Sequence, residues 1–293
     1  MKLSIALILF LVVVLWGASF TVLKLGLEKI PPITLAFLRF LIPLPILTMF
    51  TCSKSKYTFS RDIRENWKIY SILGLTGVTL CHIFQNFGLR LTRVSNASLI
   101  IASSPIFMAL LGHYYLKEEI SFKRALGIAL AFLGVLIIIR PFEWSLNPLN
   151  VIGSLLSLST ALCWASYSVL NRKILLRQNV NQVTTSSLIF GTLFLLPVAL
   201  AFEKPMIPTS AWTWFLLLFL SLLCTGLGYL LYSKALEEVT ATEVGIFQFF
   251  IPVVSVLIAH IVLLESMDAF LIIGALLILV GLVKAAMNRF RKQ

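Results

Sequence analysis

Long apolar segments alternate with short polar gaps along the whole chain. Each segment has about 20 mainly apolar residues, which is the length an α-helix needs to cross the roughly 30 Å hydrocarbon core of a bilayer. The segments are continuously apolar instead of alternating, which argues against a transmembrane β-barrel. The pattern predicts an all-α integral membrane protein with ten transmembrane helices, at residues 4–27, 33–51, 67–90, 95–116, 122–140, 150–172, 183–202, 211–235, 240–263 and 268–287.

The composition supports this class. Of the 293 residues 59% are hydrophobic and 12% charged, whereas soluble domains carry about 25% charged residues. The net charge of +12 does not indicate a nucleic-acid partner, because the basic residues fall in the short gaps and form no basic face or tail. The four cysteines show no CxxC pair, so we expect no disulfide, no metal site and no cofactor.

The basic residues in the gaps predict the orientation, because short cytoplasmic loops carry the excess of Lys and Arg. With the N-terminus inside, 17 of them fall in cytoplasmic gaps or at the cytoplasmic termini, and five fall on the opposite side, namely Lys29, Arg90, Arg93, Arg140 and Lys204. Both termini are therefore expected in the cytoplasm. The first segment has some features of a signal peptide, but its apolar pattern continues past Ser19 to Leu27, so we expect it to remain as a helix.

The chain contains an internal repeat. A shift of 147 residues aligns Pro105 with Pro252, His113 with His260, Leu116 with Leu263, Glu118 with Glu265, Gly127 with Gly274 and Gly134 with Gly281, and a shift of 148 aligns Trp16 with Trp164. This predicts two five-helix units, residues 1–146 and 147–293. Five helices are an odd number, so the units enter the membrane from opposite sides, as in many secondary transporters with a substrate site between the halves. The alternative is a duplication that only builds a stable bundle.

Several short motifs resemble one known family. They are Leu15-Trp16-Gly17-Ala18-Ser19-Phe20 followed by Lys24, Pro31-Pro32 before the second helix, Arg39-Phe40 within it, and Glu118 and Glu265 after the fourth helix of each copy. In order and spacing they resemble the EamA family of the drug/metabolite transporter superfamily, over nearly the whole chain. The resemblance implies a multi-pass carrier of the cytoplasmic membrane, often an exporter of amino acids or other small metabolites, with both termini inside.

Polar side chains within the apolar segments indicate a site, because they must turn away from lipid. His82, Gln85 and Asn86 share one face of the third predicted helix, whereas the corresponding positions of the second copy are Leu227, Leu230 and Leu231. The fold therefore does not require this polar face. It either binds substrate or forms hydrogen bonds between helices.

The same reasoning selects the other candidates. Arg39 lies within the second apolar segment and either binds substrate or bonds to a neighbouring helix, while Lys24 either shares the Trp16 face or extends to the membrane surface. Tyr229 is a further candidate. The predicted substrate site consists of Trp16, Arg39, His82, Gln85, Asn86, Trp164, Tyr167, Tyr232 and Gln248.

These residues predict a transporter for a small polar metabolite with an apolar part, whose carboxylate Arg39 holds. His82 and Glu243 are the candidates for proton coupling. Channel and receptor-like proteins are the alternatives, and an intramembrane enzyme ranks behind both, because Asp62 and Asp268 are the only aspartates and no catalytic motif is found. Glycines seven residues apart in the fifth and tenth helices predict close packing or a homodimer contact.

Overall fold

The computed structural model describes residues 3–54, 56–116, 122–139, 147–204, 206–238, 244, 247–248 and 250–287, and the regular elements in these ranges are all helical. Two π-helical segments, Leu75–Leu80 and Phe219–Leu227, interrupt the longer helices. The α-helices are α1 (Leu3–Leu27), α2 (Pro32–Leu41), α3 (Leu44–Lys54), α4 (Lys56–Gly74), α5 (Cys81–Leu91), α6 (Val94–Ile101), α7 (Ser104–Leu116), α8 (Phe122–Ile139), α9 (Pro148–Leu175), α10 (Val180–Phe202), α11 (Ala211–Leu218), α12 (Gly228–Glu238), α13 (Phe250–Leu263) and α14 (Ala269–Met287).

Helical stretches long and apolar enough to cross a bilayer confirm the membrane class. In the described part of the chain there are seven: Ile5–Leu27, Pro32–Ser53, Phe59–Leu91, Val94–Tyr114, Pro148–Leu175, Val180–Phe202 and Ala211–Glu238. The other three predicted segments contain shorter apolar helices, Ala129–Ile138, Phe250–Leu263 and Ala269–Gly281. The number of ten crossing helices and their inverted arrangement remain predictions.

Prolines break two of the long stretches. The turn between α2 and α3 contains Pro43, and the turn between α6 and α7 precedes Pro105. Proline removes a backbone donor and clashes with the preceding helical turn. Within a membrane such a break is tolerated where the backbone is buried in protein or lines a cavity. The α6–α7 break fits this rule, because Ser103 and Ser104 are buried and Ser104 lines a cavity.

The π-helical segments are a feature that the sequence analysis did not predict. They occupy corresponding places in the two copies, because a shift of 145 residues carries residues 75–80 onto 220–225. In the first segment Thr79 donates its hydroxyl to Gly191 O at 3.0 Å. Such segments are frequent at functional sites, and here each leads directly into the residues of the central cavity.

Helix α4 begins earlier than predicted. The third apolar segment was expected from residue 67, but the helix starts at Lys56 because its first turns have their own polar contacts. Arg61 Nε lies 2.7 Å from Glu65 Oε1 one turn later, and Tyr70 donates its hydroxyl to Asp62 Oδ2 at 2.6 Å. The polar gap is therefore helical as well.

Helices α8 and α14 cross at the glycines that the sequence singled out. A Cβ atom on Gly134 would lie 2.6 Å from Gly274 O, and one on Gly281 would lie 2.5 Å from Gly127 O. From Gly127 to Gly134 the chain of α8 advances, while the residues it meets on α14 go back from Gly281 to Gly274. The two helices are therefore antiparallel. These glycines pack the chain against itself, and they therefore offer no argument for a homodimer.

Candidate functional site

A cavity of about 80 Å³ lies between the two halves of the chain. Since about 10–15 Å³ of such space holds one water molecule, the cavity has room for several waters or a small metabolite. Side chains from α1, α2, α5, α6, α7, α9, α12 and α13 converge on it. Its polar and aromatic lining consists of Trp16, Ser19, Phe20, Arg39, Cys81, His82, Gln85, Ser98, Ser104, Thr160, Trp164, Tyr229 and Gln248.

The nine predicted site residues divide into two groups. Six of them, Trp16, Arg39, His82, Gln85, Trp164 and Gln248, line the cavity. The other three, Asn86, Tyr167 and Tyr232, are buried behind this lining. The coupling candidate Glu243 lies outside the described residues. That these side chains bind substrate stays a prediction.

Arg39 is the charged group of the cavity. Its side chain is buried, with 3% exposed, and its Nε donates to Thr225 Oγ1 at 2.7 Å. Its guanidinium carbon lies 5.8 Å from the ring centre of Phe40. In the described part of the chain Nη1 has no hydrogen-bond partner and no carboxylate lies within ion-pair distance of Arg39. The guanidinium therefore retains donors that match a carboxylate or phosphate ligand.

Aromatic rings from both halves line the same cavity as Arg39. Trp16 and Trp164, which correspond in the two copies, meet edge to face with ring centres 5.2 Å apart. Tyr229 packs on both, at 6.0 and 5.8 Å. The indole of Trp16 also donates to Cys224 O at 2.9 Å, which anchors it to the second π-helical segment. These rings offer apolar surface to the uncharged part of a ligand.

A hydrogen-bond chain fixes the ring of His82. Tyr229 donates its hydroxyl to Gly77 O at 2.9 Å, and His82 Nε2 lies 2.9 Å from the same hydroxyl. Because a tyrosine has one hydroxyl proton, the hydroxyl accepts from His82, whose proton is thereby assigned to Nε2. In the neutral ring Nδ1 is then left as an acceptor beside Gln85.

The three predicted residues behind the lining support the helices. Asn86 donates Nδ2 to Pro32 O at 2.8 Å, which ties α5 to the start of α2. The Tyr232 hydroxyl lies 2.8 Å from Ser168 Oγ. The Tyr167 ring fills the space above Gly77, where a Cβ atom would lie 2.2 Å from its Cδ2.

Lys24 also has a structural place. Its ammonium donates to Leu89 O at 2.5 Å and to Thr92 O at 2.8 Å, at the end of α5. A cation at a helix C-terminus satisfies carbonyls that have no partner within the helix. Lys24 is therefore bound to protein at the end of α5.

Comparison with known proteins gives the family. A model of the EamA-like transporter family matches residues 3–140 and again residues 151–286. The chain belongs to the EamA-like transporter family. Among its relatives are an uncharacterized transporter of Archaeoglobus fulgidus, 32% identical over 94% of each chain, and a probable amino-acid metabolite efflux pump of Salmonella typhimurium, 30% identical over 93% of this chain and 91% of the relative. The protein is thus a membrane transporter by family.

A solved crystal structure shows the same fold. It superposes on this chain with a TM-score of 0.72 at 20% sequence identity, and the match covers 100% of both chains. At this identity the similarity concerns the fold alone.

Small polar residues of the lining escaped the sequence analysis. Ser19, Ser98, Ser104 and Thr160 line the cavity, but serine and threonine are common in membrane helices, where they bond to their own helix backbone. Ser19 and Ser98 do so here, to carbonyls three residues earlier. The one available signal was Pro105, whose helix break places Ser104 at the cavity.

The polar face of α5 can be tested with the leucines of the second copy. Gln85→Leu is expected to fold normally and to lose most transport, because Gln85 lines the cavity. Asn86→Leu is expected to lower the free energy of unfolding by about 0.6–1 kcal/mol through loss of the bond to Pro32. Transport per folded protein and thermal unfolding in detergent measure both effects. Wild-type transport by Gln85→Leu would remove this face from the site.

Proposed function

We propose that the protein is a secondary transporter that exports amino acids or other small metabolites across the cytoplasmic membrane by alternating access. The observation that carries the proposal is a cavity shared by both halves of the chain, in which the buried guanidinium of Arg39 has an unused donor. A buried charge is expensive to keep without a partner. A ligand that supplies the partner explains why the charge is retained there.

Contacts between corresponding residues support the inverted repeat on which alternating access depends. Trp16 meets its own counterpart Trp164. The glycine contacts are reciprocal. Gly134 meets Gly274, which is the counterpart of Gly127, and Gly127 meets Gly281, which is the counterpart of Gly134. A two-fold axis produces such reciprocal pairs, and an axis in the membrane plane makes the two terminal helices antiparallel. Rocking of the halves about this axis would expose the cavity to each side in turn.

The charge distribution supports the orientation. The excess of basic residues in alternate gaps supports an orientation with both termini in the cytoplasm. The gaps with fewer basic residues, which include the α10–α11 connection, then face outward.

The substrate class follows from the lining. Arg39 suits a carboxylate, and the tryptophan and tyrosine faces suit the apolar remainder or an ammonium group. The name of the Salmonella relative, a probable amino-acid metabolite efflux pump, supports the same class. Within the described lining there is no acidic residue, so His82 and Glu243 remain the candidates for proton coupling, and we favour weakly coupled or facilitated export.

Counterflow tests this function. Liposomes that contain the purified protein are loaded with one unlabelled compound at a time from a panel of amino acids and related monocarboxylates. Uptake of the same compound in labelled form is then followed. A carrier shows saturable uptake that the internal compound accelerates. Unsaturable conductance would indicate a channel, and binding without flux would indicate a receptor; either result would overturn the proposal.

A further inference from the structure

Glu203 of the second half caps a helix of the first half. It directly follows α10, and its side chain accepts three hydrogen bonds from the first turn of α2. Oε1 accepts from Ile33 N at 2.9 Å, and Oε2 accepts from Thr34 N at 2.7 Å and Thr34 Oγ1 at 2.8 Å. The partners are about 170 residues apart in sequence.

Glu265 repeats this arrangement at a second helix. It follows α13 and caps the first turn of α6. Oε1 accepts from Val94 N at 2.7 Å, and Oε2 accepts from Ser95 N at 2.9 Å and Ser95 Oγ at 2.6 Å. In both cases the donors are two consecutive backbone amides and the hydroxyl of the second residue.

These two helices have no cap of their own. The residues before them, Pro31 and Arg93, make no side-chain capping bond, whereas α9, α10 and α11 of the second half are capped locally by Asn147, Asn179 and Ser210. The first amides of a helix need an acceptor, and the helix dipole favours a carboxylate there. The start of α2 and the start of α6 therefore depend on the other half of the chain.

Both caps lie at the same face of the molecule. Lys24 lies near the end of α1, just before α2 begins, and its ammonium bonds to the end of α5, just before α6 begins. The starts of α2 and α6 are therefore at the same face. Beside Glu265, Arg93 reaches across to the second half, where its Nη1 lies 3.5 Å from Asp268 Oδ2 and 3.2 Å from Ser266 Oγ. The two caps and the Arg93 contacts thus join the halves at the face that carries the α10–α11 connection.

The capped helices line the cavity. Arg39 lies on α2, five residues after Thr34, and Ser98 lies on α6, three residues after Ser95. Separation of the halves at this face would pull the carboxylates away from the two helix starts and open the cavity there. Water would then hydrate the released amides and carboxylates, so the open state leaves none of these groups buried without a partner.

We propose that Glu203 and Glu265 form a gate that holds the transport pathway closed at this face, and that both glutamates release when the cavity opens there. The proposal rests on the alternating access proposed above and adds the residues that control one of its two openings. Each glutamate is a positioning residue, because it touches helix starts and not the cavity.

Cys81 provides a native reporter of the opening. It lines the cavity with 3% of its surface exposed and forms no disulfide. Replacing Cys52, Cys163 and Cys224 with serine leaves it as the single thiol. Its rate of reaction with a membrane-impermeant maleimide is measured separately from each side of the membrane. A reference protein with its one cysteine at Lys204, the exposed residue after Glu203, shows from which side the gate is reached.

Glu203→Gln and Glu265→Gln keep the size of the side chain and remove its charge and part of its acceptor capacity. Each is expected to speed labelling of Cys81 from the Lys204 side about tenfold, which corresponds to 1.4 kcal/mol. The double variant is expected to gain both factors, because the two glutamates cap different helices. The controls are Glu28→Gln and Glu238→Gln, which remove the same charge from exposed residues. Glu28 lies at the same face as the two caps, and Glu238 lies at the end of α12. Neither control is expected to change the rate of Cys81 labelling.

Unchanged labelling in both folded glutamine variants, or an equal rise with Glu28→Gln, would overturn the gate. Should the glutamine variants not fold, Thr34→Val and Ser95→Ala decide, since each removes one of the three bonds and is expected to speed labelling to a smaller extent. The assay needs no substrate. If the glutamine variants label faster but the protein shows no counterflow, the gate is supported and the proposed function fails. If counterflow is active but labelling is unchanged, the proposed function is supported and the gate fails.

Discussion

Replacement of Arg39 by glutamine is expected to lower transport of carboxylate substrates about a hundredfold or more while the protein stays folded. Truncating one member of a buried charge pair costs roughly 2–5 kcal/mol, and 2.7 kcal/mol is a factor of about 100. In the empty protein Arg39 has no carboxylate partner in the described chain. Its removal therefore takes away a desolvated charge, and we expect the melting temperature to be unchanged or higher.

The specificity of the effect identifies the ligand group. Wild-type protein is expected to prefer a carboxylate over its amide, and Arg39→Gln is expected to lose this preference. Counterflow with the two compounds measures it. Lys24→Gln is the matched control, because it removes another basic residue whose bonds go to Leu89 and Thr92 at a helix end. Lys24→Gln is expected to lower the melting temperature and keep the preference. An unchanged preference in Arg39→Gln would contradict a carboxylate at Arg39.

The fold was largely predictable because the bilayer imposes helix length and apolarity on every crossing segment. The errors lie where polar contacts override that rule. Helix α4 extends back to Lys56 since Arg61 and Asp62 find partners on their own helix. The π-helical segments depend on contacts across the bundle, such as Thr79 with Gly191, and these leave no periodic signal in the sequence.

The candidate site was predictable where a residue type is costly in lipid. Arg39, His82 and Gln85 stand out in apolar segments for that reason, and they do line the cavity. The same criterion also selected Asn86, whose amide is used between helices. Burial alone does not separate these roles, since both positions avoid lipid.

The caps show a different limit. Glu265 was visible in the repeat as the counterpart of Glu118, but its partners are about 170 residues away. Pattern reading covers neighbours within a helix, so a residue that caps a distant helix is indistinguishable from a loop charge. Glu203 had no repeat partner to draw attention to it.

The crossing of α8 and α14 is expected to tolerate no large side chain. Gly134→Leu should lower the free energy of unfolding by about 3 kcal/mol, because its first carbon alone would lie 2.6 Å from Gly274 O and 2.9 Å from Ile278 N. Backbone atoms cannot move aside as a flexible side chain can, so the helices must separate. With an unfolding entropy of about 2.1 cal/mol/K per residue, such a loss corresponds to a fall in melting temperature of about 5 °C for this chain of 293 residues.

Ala129→Leu places the same side chain on the exposed side of α8 and is expected to leave the melting temperature unchanged. Gly281→Leu acts on the same helix pair, where its Cβ would lie 2.5 Å from Gly127 O. The double variant should therefore lose less than the sum of the two single losses, since the first change has already separated the helices. Transport per folded protein should stay near the wild-type value, because neither glycine lines the cavity. Equal falls in melting temperature for Gly134→Leu and Ala129→Leu would show that added bulk anywhere on α8 is harmful, and would contradict a specific glycine contact.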